Sequence, residues 1–209
     1  NGTLLTTFTN PSPAASDGFG RSLTAVGSDR VLIGAYWDDT GATDAGVAYL
    51  FSTNGALLST FTNPTPAVGD CFGYAVAAVG NDRVLIGAYQ DNTGATNAGA
   101  AYLFRTDGTL LTTLTNPAPT ADDGFGWSLA AVGNDRVLIS AYQDDAGATD
   151  AGTAYLFSIP AASPPRLAVN WSNGTVIVSW PLPAEGWVLE ATNALSSVSA
   201  PWPQVPPPY

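Results

Sequence analysis

Asp17-Gly18-Phe19-Gly20-Arg21-Ser22-Leu23-Thr24-Ala25-Val26-Gly27, followed by Asp29-Arg30-Val31-Leu32-Ile33-Gly34-Ala35-Tyr36, decides how the chain is read. The pattern returns as Asp70-Cys71-Phe72-Gly73 leading to Val84-Leu85-Ile86-Gly87-Ala88-Tyr89. It returns again as Asp123-Gly124-Phe125-Gly126 leading to Val137-Leu138-Ile139-Ser140-Ala141-Tyr142. The interval is 53 residues each time, without insertion or deletion. A period of that length marks a tandem repeat whose units hide their apolar faces only against one another.

Within a period, β-branched and apolar runs alternate with turn residues. Phe19 to Val26, Arg30 to Tyr36, Val47 to Ser52 and Ala56 to Thr62 read as strands. The unbroken Val31-Leu32-Ile33 suggests a strand covered on both faces. Gly27-Ser28-Asp29 and Asn54-Gly55 are tight hairpin connections. Four short antiparallel strands repeated at this spacing are the signature of propeller blades. The expected fold class is therefore all-β. Three tandem four-stranded blades cover residues 1–159, a Pro/Ala/Ser linker covers 160–165, and a small C-terminal β-sandwich-like module covers 166–209. In that module Arg166 to Ser172 and Thr175 to Trp180 flank Asn173-Gly174, and Trp187 to Thr192 forms a further strand.

Thr3 to Thr9 has the composition of Ala56 to Thr62 and is predicted as a strand. The chain thus opens on an orphan fourth strand, and its third blade lacks one. Two partners for strand 3–9 are expected on this count: missing blades of a longer chain, or the incomplete blade of a second copy.

Phe-Gly at the start of a blade's first strand and Gly-Ala at the end of its second resemble the FG-GAP repeats of integrin α-subunit propellers and their bacterial relatives. The residues concerned are Phe19-Gly20 with Gly34-Ala35, Phe72-Gly73 with Gly87-Ala88, and Phe125-Gly126 with the departure Ser140-Ala141. The resemblance implies a β-propeller, an extracellular or cell-surface setting, and a role in adhesion or ligand binding. The C-terminal residues Ser179-Trp180-Pro181 and Gly186-Trp187-Val188-Leu189-Glu190 resemble small modules of secreted bacterial repeat proteins.

Composition removes several functions. The formal net charge is -11 and all six cations are arginine, so phosphate backbones and anionic lipids are repelled and nucleic acid is not an expected partner. With no histidine, Ser-His-Asp and Cys-His catalysis and histidine metal sites are excluded. There is no long apolar span, so no membrane insertion is expected. The absence of methionine leads to the expectation of a processed or truncated piece. Cys71, the single cysteine, stands where the sister repeats have glycine. It reads as a small turn residue or as a reactive thiol.

Two sets of residues are candidate sites. Asp38, Asp39 and Asp44, Asp91, Asn92 and Asn97, and Asp144, Asp145 and Asp150 crowd the loops after the second strands. Clustered oxygens suit Ca²⁺, and Asx turns account for the same residues. The resemblance places calcium instead in an Asp-rich loop between the first two strands, which here has shrunk to three residues such as Gly27-Ser28-Asp29. The recurring aromatics Tyr36, Tyr89 and Tyr142, with Tyr49, Tyr102 and Tyr155, read either as packing between blades or as a sugar-stacking ring; Trp37 and Trp127 break the repeat and are the candidate sugar-stacking residues. Asp29-Arg30, Asp82-Arg83 and Asp135-Arg136 read as turn carboxylates with arginines bridging to the next blade, or as an anion site. Asn1-Gly2-Thr3, Asn170-Trp171-Ser172 and Asn173-Gly174-Thr175 fit the glycosylation pattern. The expected function is non-catalytic, structural or adhesive. A glycan- or calcium-dependent binding module and a fragment of a secreted hydrolase are the alternatives.

Overall fold

The computed structural model describes residues 2–159, 168–172 and 175–179. The chain divides into two units, Asn1–Ala162 and Ser163–Tyr209. In the second unit, β12 (Ala168–Ser172) and β13 (Thr175–Ser179) pair antiparallel, with Ser172 opposite Thr175. The linker at 160–165 and the strand expected at Trp187 to Thr192 lie outside the described residues.

The first unit is all-β and built as three sheets. The first holds β1 (Ser22–Val26), β2 (Arg30–Ala35), β3 (Val47–Ser52) and β4 (Leu57–Thr62), in that spatial order. The second holds β5 (Phe72–Val79), β6 (Arg83–Ala88), β7 (Ala100–Arg105) and β8 (Leu110–Thr115), again in sequence order. The third holds β9 (Phe125–Val132), β10 (Arg136–Ala141) and β11 (Thr153–Ser158). All pairings are antiparallel. These are the blades the 53-residue period predicts, two complete and one of three strands.

The blades hold together by burying both faces of their middle strands. From the first blade, Val26, Leu32, Ala48, Leu50 and Phe61 pack with Phe72, Val84, Ile86, Tyr102 and Phe104 of the second. From the second, Val79, Leu85, Ala101 and Leu103 pack with Phe125, Val137 and Ile139 of the third. Every residue of β6, the central blade's second strand, is buried. The strand β11, by contrast, alternates half-buried and exposed along its whole length, because among the described residues one of its faces has no blade against it. Each buried Leu, Ile or Phe contributes about 1.5–3 kcal/mol of apolar burial, so the two junctions dominate the fold's stability.

Arginines cross both junctions. Arg30 donates to the carbonyl of Asn81 at 2.6 Å, and the buried Arg83 donates to that of Asn134. Each also flanks the aspartate before it in its own turn. This is the bridging arrangement; the three arginines do not converge on an anion.

Residues 2–10 do not form the strand expected from Thr3 to Thr9. The segment still lies on the first blade as β4 lies on the second. Phe8 meets Phe51 with ring centroids 5.4 Å apart, as Phe61 meets Phe104. Thr6 Oγ1 donates to Thr53 O at 2.7 Å, as Ser59 Oγ donates to Thr106 O. What it lacks, among the described residues, is a third-strand neighbour with which to form a ladder, and Leu4 and Leu5 are 81% and 90% exposed. Strand propensity is not strand formation without a pairing edge. Phe19 also lies outside β1, which begins at Ser22, although Phe72 and Phe125 open their strands.

Candidate functional site

The Phe-Gly turns set up the most distinctive surface. In the second blade the pairing between β5 and β6 jumps from Phe72 opposite Ala88 to Ala75 opposite Gly87, so Gly73 and Tyr74 bulge out of the ladder. Gly73 has φ +86° and Gly126 +95°, and a bulge built on such a glycine re-aims the side chain that follows. That side chain is Tyr74 in the second blade and Trp127 in the third; Arg21 holds the same place in the first. Just past β2, β6 and β10 come Tyr36, Tyr89 and Tyr142.

Together these residues form one row of rings across all three blades. Trp37 lies 4.4 Å from Tyr36, and Tyr36 lies 5.4 Å from Tyr74. Tyr74 is 4.4 Å from Tyr89 and 4.7 Å from Trp127, and Trp127 is 4.2 Å from Tyr142. The guanidinium of Arg21 sits 4.5 Å over the Tyr74 ring and donates to its hydroxyl at 2.9 Å, a cation–π contact that fixes the ring's tilt. Beside the row, Arg21, Leu23, Tyr74, Val76, Trp127 and Leu129 line an open groove of about 510 Å³. Of the two tryptophans picked from sequence, Trp127 lines this groove. Trp37 stands at the row's end, 43% exposed. Arg21 and Tyr74 were missed; the signal was their shared column with Trp127, the place where near-identical repeats carry three different side chains.

The acidic loops are tied into their own blades by hydrogen bonds. Asp38, Asp91 and Asp144 are buried, and each accepts from a tyrosine hydroxyl of its own blade: Tyr49 at 3.2 Å, Tyr102 at 2.6 Å and Tyr155 at 2.7 Å. Asp38 also accepts from Thr40 N, Asp91 from Thr93 N and Asp144 from Ala146 N. Asp39, Asn92 and Asp145 accept from the backbone N–H of Asp44, Asn97 and Asp150, which adopt positive φ. These are side-chain-to-backbone turns that set the loop shape. Among the described residues no three of Asp, Glu, Cys or His stand together as a metal site.

An asparagine just past the fourth strand stitches each complete blade to the next. Asn63 donates to Asp70 at 2.7 Å and to Asp91 at 3.3 Å. Asn116 donates to Asp123 at 2.7 Å and Asp144 at 2.8 Å. Asp70 Oδ1 is buried with no hydrogen-bond partner among the described residues. Burial, with the charge of Asp91 adding to it against the Ala67 N–H, pushes the Asp70 carboxyl up to about 6. The folded protein then holds a proton that the unfolded chain releases near the ordinary value of 3.8. Folding is stabilised as pH falls through about 6, and the gain is lost as pH rises again. The melting temperature is expected to rise between pH 7 and pH 5, and Asp70→Asn to flatten that rise; a scanning-calorimetry series over this window reads both.

Cys71 is buried, takes φ +58° where its counterparts are glycine, and lies 3.1 Å from the Gln90 amide oxygen. Burial pushes its thiol up to about 11, which marks an unreactive side chain.

Repeated antiparallel sheets stacked face to face, with Phe-Gly bulges at one end, define the chain as a propeller-blade repeat protein. The FG-GAP repeat profile matches residues 5–51, 59–104 and 109–157, one match per blade, and the chain belongs to the FG-GAP repeat family. Repeats of this family are generally non-enzymatic and typically extracellular. Comparison with curated proteins gave no match. No helix among the described residues is long and apolar enough to cross a membrane.

Proposed function

We propose that this protein is a non-catalytic adhesive module of the cell exterior that holds a neutral saccharide chain along its row of rings. The observation that carries the reading is the continuous line from Trp37 through Tyr74 and Trp127 to Tyr142, with the groove beside it. Aromatic faces with polar tips pack against the C–H faces of sugars while their hydroxyl and indole N–H groups bond the sugar oxygens. An elongated row spanning three blades suits a linear polymer better than a single small ligand. The acidity of the chain disfavours polyanions, which leaves neutral glycans as the matching class.

Titration with neutral hexasaccharides of several linkages, followed by tryptophan fluorescence, is expected to identify at least one binder. Trp127→Ala and Tyr74→Ala should each weaken it about tenfold, corresponding to about 1.4 kcal/mol, while Asp39→Asn leaves it unchanged. Binding that vanishes with a chelator would shift the assignment to the acidic loops. Equal affinity in the wild type and Trp127→Ala would end the saccharide reading.

A further inference from the structure

Two glycines face the next blade at each junction, and one of them is replaced in the third blade. A Cβ on Gly34 would stand 2.0 Å from the carbonyl oxygen of Gly73, and one on Gly87 would stand 2.2 Å from that of Gly126. Both contacts are with the backbone of the following blade, so no rotamer relieves them. The third residue of this column is Ser140.

From this we infer that Ser140 is a stop: it prevents another FG-GAP blade, including the first blade of a second copy, from stacking on the third. The surface there is otherwise fitted to receive one. Leu138 and Leu156 are 38% and 56% exposed, whereas their counterparts Leu32, Leu85, Leu50 and Leu103 are 1% exposed or less beneath the following blade. Arg136, unlike Arg30 and Arg83, is half exposed, and its counterparts each reach across to the next blade's backbone. The edge of β11 has no fourth strand among the described residues. At the other end Gly20 has nothing within 4 Å of a would-be Cβ among the described residues, whereas a Cβ on Gly73 or Gly126 would stand 2.5 Å from a carbonyl of the blade before it. Two copies therefore carry complementary surfaces, and the docking that places the Gly20 carbonyl as Gly73 and Gly126 are placed would drive it into the Ser140 Cβ. Ser140 Oγ instead accepts from Ser128 N at 3.0 Å within its own sheet, so the serine is comfortable where it is. A small polar residue at this point separates a terminal repeat from an extendable one, the role that capping repeats have in stacked arrays.

The test compares the full chain with its Ser140→Gly variant by sedimentation velocity over a hundredfold range of concentration. The wild type should stay monomeric, and Ser140→Gly should form head-to-tail oligomers with at least tenfold tighter self-association. Gly87→Ser places the same side chain at an occupied junction, and should lower the melting point and strip hydrogen-exchange protection from β9 to β11. The inference is overturned if the wild type itself stacks third blade on first, as cross-links would reveal. It is equally overturned if Ser140→Gly associates no more than the wild type, or if Gly87→Ser melts like the wild type.

Discussion

Gly99→Ala is expected to lower the melting temperature by roughly 10 °C. Gly99 follows the loop that carries Asp91, and it has φ +84°. An added Cβ there would stand 2.1 Å from the oxygen and 2.6 Å from the nitrogen of Phe125, and 2.8 Å from the oxygen of Tyr89. Two costs combine. Alanine in the left-handed region costs about 1–2 kcal/mol, and forcing a methyl into a packed junction costs about 1–3 kcal/mol. The second cost falls on the contact between the second and third blades, where Phe125 N donates to Ala98 O at 2.8 Å. Gly108 separates the two effects. Its φ is +94° but nothing lies within 4 Å of a would-be Cβ, so Gly108→Ala should show the backbone cost alone. Matching melting temperatures for the two variants would mean that the close approach of blades is not what selects glycine at position 99.

The blades were legible because the 53-residue period and the Val-Leu-Ile runs are both local facts of sequence, and double-sided burial follows from them. Two errors share one cause, which is that pairing is not local. Thr3 to Thr9 has strand composition but no ladder neighbour among the described residues. Phe19 lacks the pairing that makes Phe72 and Phe125 the first residues of β5 and β9. The row of rings was half legible. Trp127 announced itself by breaking the pattern, but Tyr74 looked like an ordinary aromatic until the bulge brought it between Tyr36 and Trp127. The acidic loops show the converse. Clustered carboxylates read in the sequence either as cation ligands or as Asx turns, and the structure adds the tyrosine hydroxyls and backbone N–H groups that donate to them. Ser140 was visible as a departure from Gly-Ala. Its consequence needed the distance from Gly34 and Gly87 to the neighbouring carbonyls.

Asn116→Ala should destabilise the fold by about 3–5 kcal/mol at neutral pH. In the sequence Asn10, Asn63 and Asn116 are merely the residues before a proline, where a strand stops. In the structure Asn116 is buried between two buried carboxylates, Asp123 and Asp144, and donates to both while its Oδ1 accepts from Ala118 N at 3.0 Å. Hydrogen bonds to charged groups contribute about 1.5–3 kcal/mol each, and removing a shared donor leaves two desolvated anions facing one another. Burial alone would push the Asp144 carboxyl up. The bonds from Tyr155, Ala146, Asn116 and Thr153 outweigh it and hold the group below its ordinary value of 3.8. A depressed folded value means stability that is present above the unfolded value and is lost as pH falls through the folded one. The penalty of Asn116→Ala should therefore be largest near pH 7 and shrink below about pH 4, as protonation removes the Asp144 charge that the amide serves. Asn10→Ala is the comparison. Asn10 is only half-buried and donates to one carboxylate, Asp17, at 2.6 Å while it accepts from Ser12 N at 3.1 Å, and its loss should cost about 1 kcal/mol. Urea unfolding of both variants at pH 7 and pH 3.5 decides the matter: equal penalties, or a penalty for Asn116→Ala that does not vary with pH, would show that the blades are not stitched through this amide.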